Sequence, residues 1–314
     1  MERNLSQVLK CLDEAPTSEE FLYSMDPSTC FTYSVLTLMT LVGSLMYLEE
    51  TVYITRKITS SCKRTAYIWV TGAPPVIAAT SCVGLWVPRS SMFTDFTASI
   101  YLSISLHKFL VMMLEEFGGE EALVRRLQDK PLKTSTGPCC CCCLCLPPLP
   151  VSRTSLTILK WGTLQAALLR PTLMFFATVL WSNGTYQQGK MEVKEAFLWI
   201  TLLSVAAFLL SLWLLGIMFA QAKLDLSKCN IVPKFALNQC VVVLSQAQSG
   251  IVDVLVSTGT ISCVPPFSAR ARGTYGNTAA VMPRIQVLAK ERDHGDWNTL
   301  ERNVLKRPLI SPVQ

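Results

Sequence analysis

The side chains of this sequence able to do chemistry are ionisable and amide groups sunk in long apolar runs, where they are costly and normally face a bundle interior or a cavity. Gln239, Gln246, Gly250 and Asp253 follow one another at intervals of 7, 4 and 3. On an α-helix that spacing keeps them in one narrow stripe. The stripe either lines a substrate path or supplies interhelical hydrogen bonds beside a glycine that permits close packing. Arg170 precedes Pro171 and lies ten residues beyond Lys160, about 15 Å along a helix. A guanidinium at that depth, near a carbonyl freed by the proline, is a candidate counter-charge for an anionic substrate; pairing with Asp253 or a phospholipid headgroup is the alternative. His107 and Lys108 lie inside another apolar run that ends in Glu115 and Glu116. Lys108 reads as snorkelling towards the inner interface, and His107 as a proton relay, an anion contact or a packed hydrogen-bond partner. Pro74 and Pro75 interrupt a further run; such breaks occur both at transport sites and in packed bundles for structural reasons.

The chemistry that is missing narrows the function. No G-x-x-x-x-G-K-[ST] loop exists to cradle nucleotide phosphates, so pumping by ATP hydrolysis has no support. With only two histidines, a membrane zinc hydrolase built on several histidine ligands has little support, and there is no G-x-S-x-G elbow. The expectation is a protein with no catalytic residues, no metal and no cofactor.

Of the 13 cysteines, Cys139, Cys140, Cys141, Cys142, Cys143 and Cys145 crowd together between Pro138 and Pro147. Adjacent cysteines cannot all turn inward on one zinc ion. Juxtamembrane thiols flanked by basic residues fit palmitoylation, and two or more chains would pin the segment to the inner leaflet. Free, unmodified thiols are the alternative.

The elements that must position these groups are transmembrane helices. Half of the residues are apolar, only 16% are charged and mean hydropathy is +0.36, which places the chain in lipid rather than among soluble domains. Spans are expected at 31–53, 66–87, 93–114, 156–181, 196–220 and 235–256. A segment over 1–30 with no signal-peptide pattern precedes this bundle of 31–264, and a polar, disordered tail of 265–314 follows it. Basic residues follow the first, third and fifth spans, including Arg56, Lys63, Arg125, Lys133 and Lys223. That asymmetry predicts an outside N-terminus and a cytoplasmic cysteine-rich loop at 115–155. The sequons at Asn4 and Asn183 then fall outside as weak glycosylation candidates. The basic tail, with Arg270, Arg272 and Arg284, conflicts with six spans and an outside N-terminus, which would leave it outside. The net charge of +6 lies in short clusters between spans, so nucleic acid is not an expected partner.

A resemblance adds what spacing cannot. Thr136-Gly137-Pro138 ahead of five cysteines, Leu48-Glu49-Glu50-Thr51-Val52-Tyr53, Gly84-Leu85-Trp86-Val87-Pro88-Arg89-Ser90, Glu116-Phe117-Gly118-Gly119, Lys234-Phe235-Ala236-Leu237 and Pro265-Pro266-Phe267-Ser268 together resemble the organic solute transporter α family over about 31–268. The resemblance implies an all-α bundle of seven spans in which the last, from about Ala269, is replaced here by the polar tail. It implies a single-span β subunit as partner, a basolateral plasma-membrane location and facilitated diffusion of bile acids, conjugated steroids and similar amphipathic anions. It also favours lipidation of the cysteine run. A tail that blocks assembly would leave the chain in the endoplasmic reticulum. From a different class, a non-transporting multi-span receptor or scaffold with the lipidated loop as docking surface is the rival expectation.

Overall fold

The computed structural model describes residues 18–23, 25–127, 150, 152–186, 195–225, 239, 240, 242–247, 250, 251, 254 and 255. Every described element is a helix: α1 (Ser18–Tyr23), α2 (Pro27–Lys57), α3 (Ser61–Thr71), α4 (Ala73–Trp86), a 3₁₀ turn at Pro88–Ser90, α5 (Ser91–Glu116), α6 (Glu120–Leu127), α7 (Arg153–Ser182) and α8 (Ala196–Asp225). Four of them are long and apolar enough to cross a membrane, and α3 with α4, which meet at 42°, together have the length and composition of a broken span or a re-entrant loop. The helical residues at 239–240, 242–247, 250–251 and 254–255 fall on the expected sixth. Segments 1–17 and 265–314, Asn4, Asp253 and the run from Cys139 to Cys145 lie outside the described residues.

Local chemistry explains the helices. Pro27 opens α2 at a position where a missing N–H costs nothing, and Arg56 and Lys57 occupy its last turn, opposite the partial negative charge of the helix end. Along α2 the hydroxyls of Thr32, Ser34, Thr37, Thr40 and Ser44 each donate to the carbonyl four residues earlier. A span rich in Ser and Thr thereby satisfies its polar groups internally, as lipid requires. Ser152 caps α7, its hydroxyl accepting from the Ser155 N–H at 3.1 Å. Gly118 and Gly119, at φ 91° and 97°, turn the chain sharply between α5 and α6; only glycine takes these angles without strain.

The packing centres on α5, which lies against α3, α4, α7 and α8. Its Leu102, Leu106, Phe109, Leu110 and Met113 interlock with Leu156 and Leu159 of α7 and with Phe208, Leu212, Leu215 and Met218 of α8. α2 is the least buried span and packs on α3 and α4. Large apolar side chains point outward elsewhere, among them Leu38, Leu41 and Leu45 of α2, Leu168 and Phe175 of α7 and Leu202 and Leu203 of α8. In water so much exposed apolar surface would aggregate; in hydrocarbon it is the ordinary exterior. Association of these helices rests on close packing and interhelical polar bonds, because lipid tails are as apolar as the core.

α7 and α8 meet tightly at Gly162, whose carbonyl accepts from Ser211 Oγ at 3.3 Å and whose absent Cβ would collide with Leu214 Cδ1. Gly162→Ala is expected to lower thermal stability in detergent by about 1–3 kcal/mol, the usual cost of overpacking. Adding Leu214→Ala should recover much of that loss, and a thermal shift series on the three variants checks it.

Candidate functional site

One face of α7 carries Thr163, Ala166, Ala167 and Arg170, spaced i, i+3, i+4 and i+7, with the first three buried. Arg170 reaches from this face towards α8 and the 239–255 segment. Its Nη2 donates to Gln246 Oε1 at 3.2 Å, and its Cζ stands 5.5 Å from the centroid of the Phe208 ring. The aromatic face offers a cation its negative quadrupole without neutralising it. Arg170 Nε is buried with no hydrogen-bond partner, and among the described residues the side chain makes no ion pair. Pro171 has no N–H to give the Ala167 carbonyl on the previous turn. The result is a guanidinium held in place by an amide and a ring, with donor capacity left over for an anion.

Nearer the start of α7, Thr163 Oγ1 donates to the Lys160 carbonyl at 3.0 Å and stands 3.1 Å from His107 Nδ1. The contact joins His107 of α5 to α7, about 10 Å along that helix from Arg170. Lys108, half-buried, has no hydrogen bond or ion pair among the described residues.

The ends of α3, α5, α6 and α7 meet in a band of charge. Glu116 accepts from Tyr67 Oη at 2.7 Å and pairs with Lys63 at 2.9 Å. Lys160 pairs with Glu120, and Arg153 with Glu121 at 3.0 Å. The first of these is partly shielded, and the last is largely exposed and contributes little. Among the described residues no cluster of His, Cys, Asp or Glu is arranged to hold a metal ion.

Of the residues singled out by sequence, the structure joins Arg170 to Gln246 and leaves His107 on a neighbouring contact. Gln239 Oε1 is buried without a partner among the described residues. Gly250 is exposed, and no described atom stands within 4 Å of where its Cβ would be. Asn183 is exposed in the turn that ends α7, where Thr185 Oγ1 donates to the Leu180 carbonyl at 3.1 Å. Sequence reasoning missed Phe208 beneath Arg170 and the pairing of Tyr67 and Lys63 with Glu116. A phenylalanine in an apolar helix carries no mark of such a role; a tyrosine and a lysine opening a span, facing a carboxylate that ends another, were the available signal.

Residues 32–284 match the family described as Organic solute transporter Ostalpha. The chain belongs to the organic solute transporter α family. It is 43% identical over 304 residues to an organic solute transporter subunit alpha of Danio rerio, covering 97% of this chain and 90% of that one. A Leucoraja erinaceus protein of the same name is 37% identical, covering 85% of this chain and 76% of its own; one of Homo sapiens is 36% identical, covering 85% and 78%. No solved structure matches. The family match runs on to residue 284, past Ser268 where the quoted motifs end. Membership makes the chain a multi-pass solute-transporter subunit and not an enzyme.

Within this transporter bundle the His107–Thr163 contact is open to a direct test. Thr163→Val removes the hydroxyl partner of the half-buried His107 imidazole and should cost about 0.5–1.5 kcal/mol, read as a lower melting temperature in detergent. Thr163→Ser, which keeps the hydroxyl, should stay close to the parent.

Proposed function

We propose that this chain is the α subunit of a heteromeric facilitative transporter for bile acids, conjugated steroids and related amphipathic organic anions. In this reading a single-span β subunit is its partner and the basolateral plasma membrane its location. The observation that carries the proposal is the Arg170 guanidinium, which has no ion-pair partner and a bare Nε among the described residues, in the middle of a membrane-spanning helix. A buried cation persists in hydrocarbon when function requires it. A carboxylate or sulfate head presents the acceptor oxygens that a guanidinium fork fits, while apolar neighbours such as Phe208 suit a steroid body. Gln246, and with it Gln239, Asp253 and His107, would line the same path. Movement along the gradient suits a chain without a nucleotide-phosphate loop. Lipidation of Cys139, Cys140, Cys141, Cys142, Cys143 and Cys145 would tether the loop after α6 to the inner leaflet. Asn4 and Asn183 are the proposed glycan acceptors.

Labelled taurocholate or estrone sulfate flux in cells expressing this chain with a β subunit should exceed that of vector controls. Flux at the control level despite normal surface abundance would favour a receptor or scaffold. Arg170→Ala should reduce flux roughly tenfold or more, as expected for losing a charge-assisted hydrogen bond worth about 1.5–3 kcal/mol. Arg170→Lys, a point charge without the fork, should fall between; a drop in surface abundance that accounts for the whole loss would assign Arg170 a packing role. Hydroxylamine-sensitive mass tags should appear on the parent chain and disappear when the six clustered cysteines become serine. Tags that all persist in that variant would exclude the site.

A further inference from the structure

We infer that Lys160, near the start of α7, is a second anion-binding position on the path that holds Arg170, and that α6 is a lid whose Glu120 occupies it in this conformation. The inference rests on the transport reading. The ligand it assigns is the acidic head of an amphipathic organic anion.

Three residues before Thr163, Lys160 continues the face of α7 that carries Thr163, Ala166, Ala167 and Arg170. The two cations are ten residues apart, about 15 Å along the helix, and the side chains between them on that face are small. The Lys160 ammonium pairs with Glu120 of α6, and both partners are more than a third exposed. A carboxylate on a half-exposed lysine stands where an incoming carboxylate, sulfate or sulfonate would sit. Pairs this open to solvent hold weakly, so the exchange of one acid for another is cheap.

The junction of α5 and α6 lets the lid move. α5 closes on itself in a Schellman turn, with the Gly118 N–H on the Glu115 carbonyl and the Gly119 N–H on the Leu114 carbonyl, both at 3.1 Å. The first bond of α6 runs from the Leu123 N–H to the Gly119 carbonyl at 3.1 Å. Rotation about the N–Cα bond of Gly119, already at φ 97°, therefore swings α6 without breaking either helical ladder. Glu116, just before the glycines, is held by Lys63 and Tyr67 of α3, so the end of α5 is anchored independently of α6. What keeps α6 down is Glu120 on Lys160, Glu121 on Arg153 at 3.0 Å, and Leu123, fully buried in the cluster that contains Leu156 and Leu159 of α7. Opening this lid would free Lys160 for the anion and expose Leu123.

Two substitutions that break the same ion pair separate this reading from a structural one. In cells coexpressing a β subunit, Lys160→Gln removes the position and should raise the taurocholate concentration for half-maximal flux about three- to fivefold. Glu120→Gln removes the occupant and should lower that concentration. Shifts in the same direction, or none, overturn Lys160 as an anion position. Absence of flux in the parent chain at normal surface abundance counts against the transport reading instead. The lid has a measurement that needs no flux. With the β subunit in phosphatidylcholine nanodiscs, the thiol introduced by Leu123→Cys should react with N-ethylmaleimide several-fold faster once Glu120→Gln and Glu121→Gln are added, as read at that position by peptide mass spectrometry. A thiol introduced by Leu159→Cys, in the same buried cluster on α7, should keep its rate. An unchanged rate at position 123, or an equal rise at 159, overturns the lid. Taurocholate below its micellar concentration should also speed the reaction of the Leu123→Cys chain. No effect, or an equal one on replacing phosphatidylcholine with phosphatidylglycerol, overturns the assignment of Lys160 to the transported anion.

Discussion

In hydrocarbon a backbone N–H or carbonyl has no water to turn to, and each one left bare costs several kilocalories per mole. That constraint shapes the whole molecule. It makes every described element helical, and it explains why the hydroxyls of α2 fold back onto their own carbonyls. It also gives weight to the two places where proline withdraws a donor. At Pro171 the helix continues unbroken through α7, with the charged side chain of Arg170 beside the gap. At Pro74 and Pro75 the chain bends, and tyrosines from neighbouring helices donate to the Ile68 and Trp69 carbonyls just before the break.

Charge is distributed by the same solvent logic. Carboxylates gather where α5 ends and α6 begins, and each of Glu116, Glu120 and Glu121 has a cationic partner there. Arg170, along the face of α7 that also holds Thr163, has only the Gln246 amide and the Phe208 ring among the described residues. Within the described residues a compensated band at the helix ends thus contrasts with a cation inside the span that meets no acid.

The glycines do different work at different depths. Gly118 and Gly119 are needed for their backbone angles, which turn the chain into α6 and bring Glu120 and Glu121 to α7. Gly162 and Gly72 sit in ordinary helical or near-helical geometry and are needed for their lack of volume, one for Leu214 and one for the two tyrosines. Residue type alone does not separate these roles.

The apolar runs, their lengths and the polar residues within them were legible in the sequence, because a span must be about 20 residues long and mostly apolar whatever it packs against. The positions of α2, α5, α7 and α8 followed from that rule, and the break at Pro74 and Pro75 from the missing N–H. Arg170 and Gln246 stood out because polar groups in lipid are rare. Their partnership did not, since they lie 76 residues apart in the chain and a stripe on one helix says nothing about which neighbour it meets. The same limit hid Phe208 and the meeting of Tyr47 and Tyr101 over Gly72. Hydrophobic period and length are local quantities and can be read along the chain; which faces touch depends on how helices cross, and that is decided by the volumes of side chains that only the folded bundle brings together.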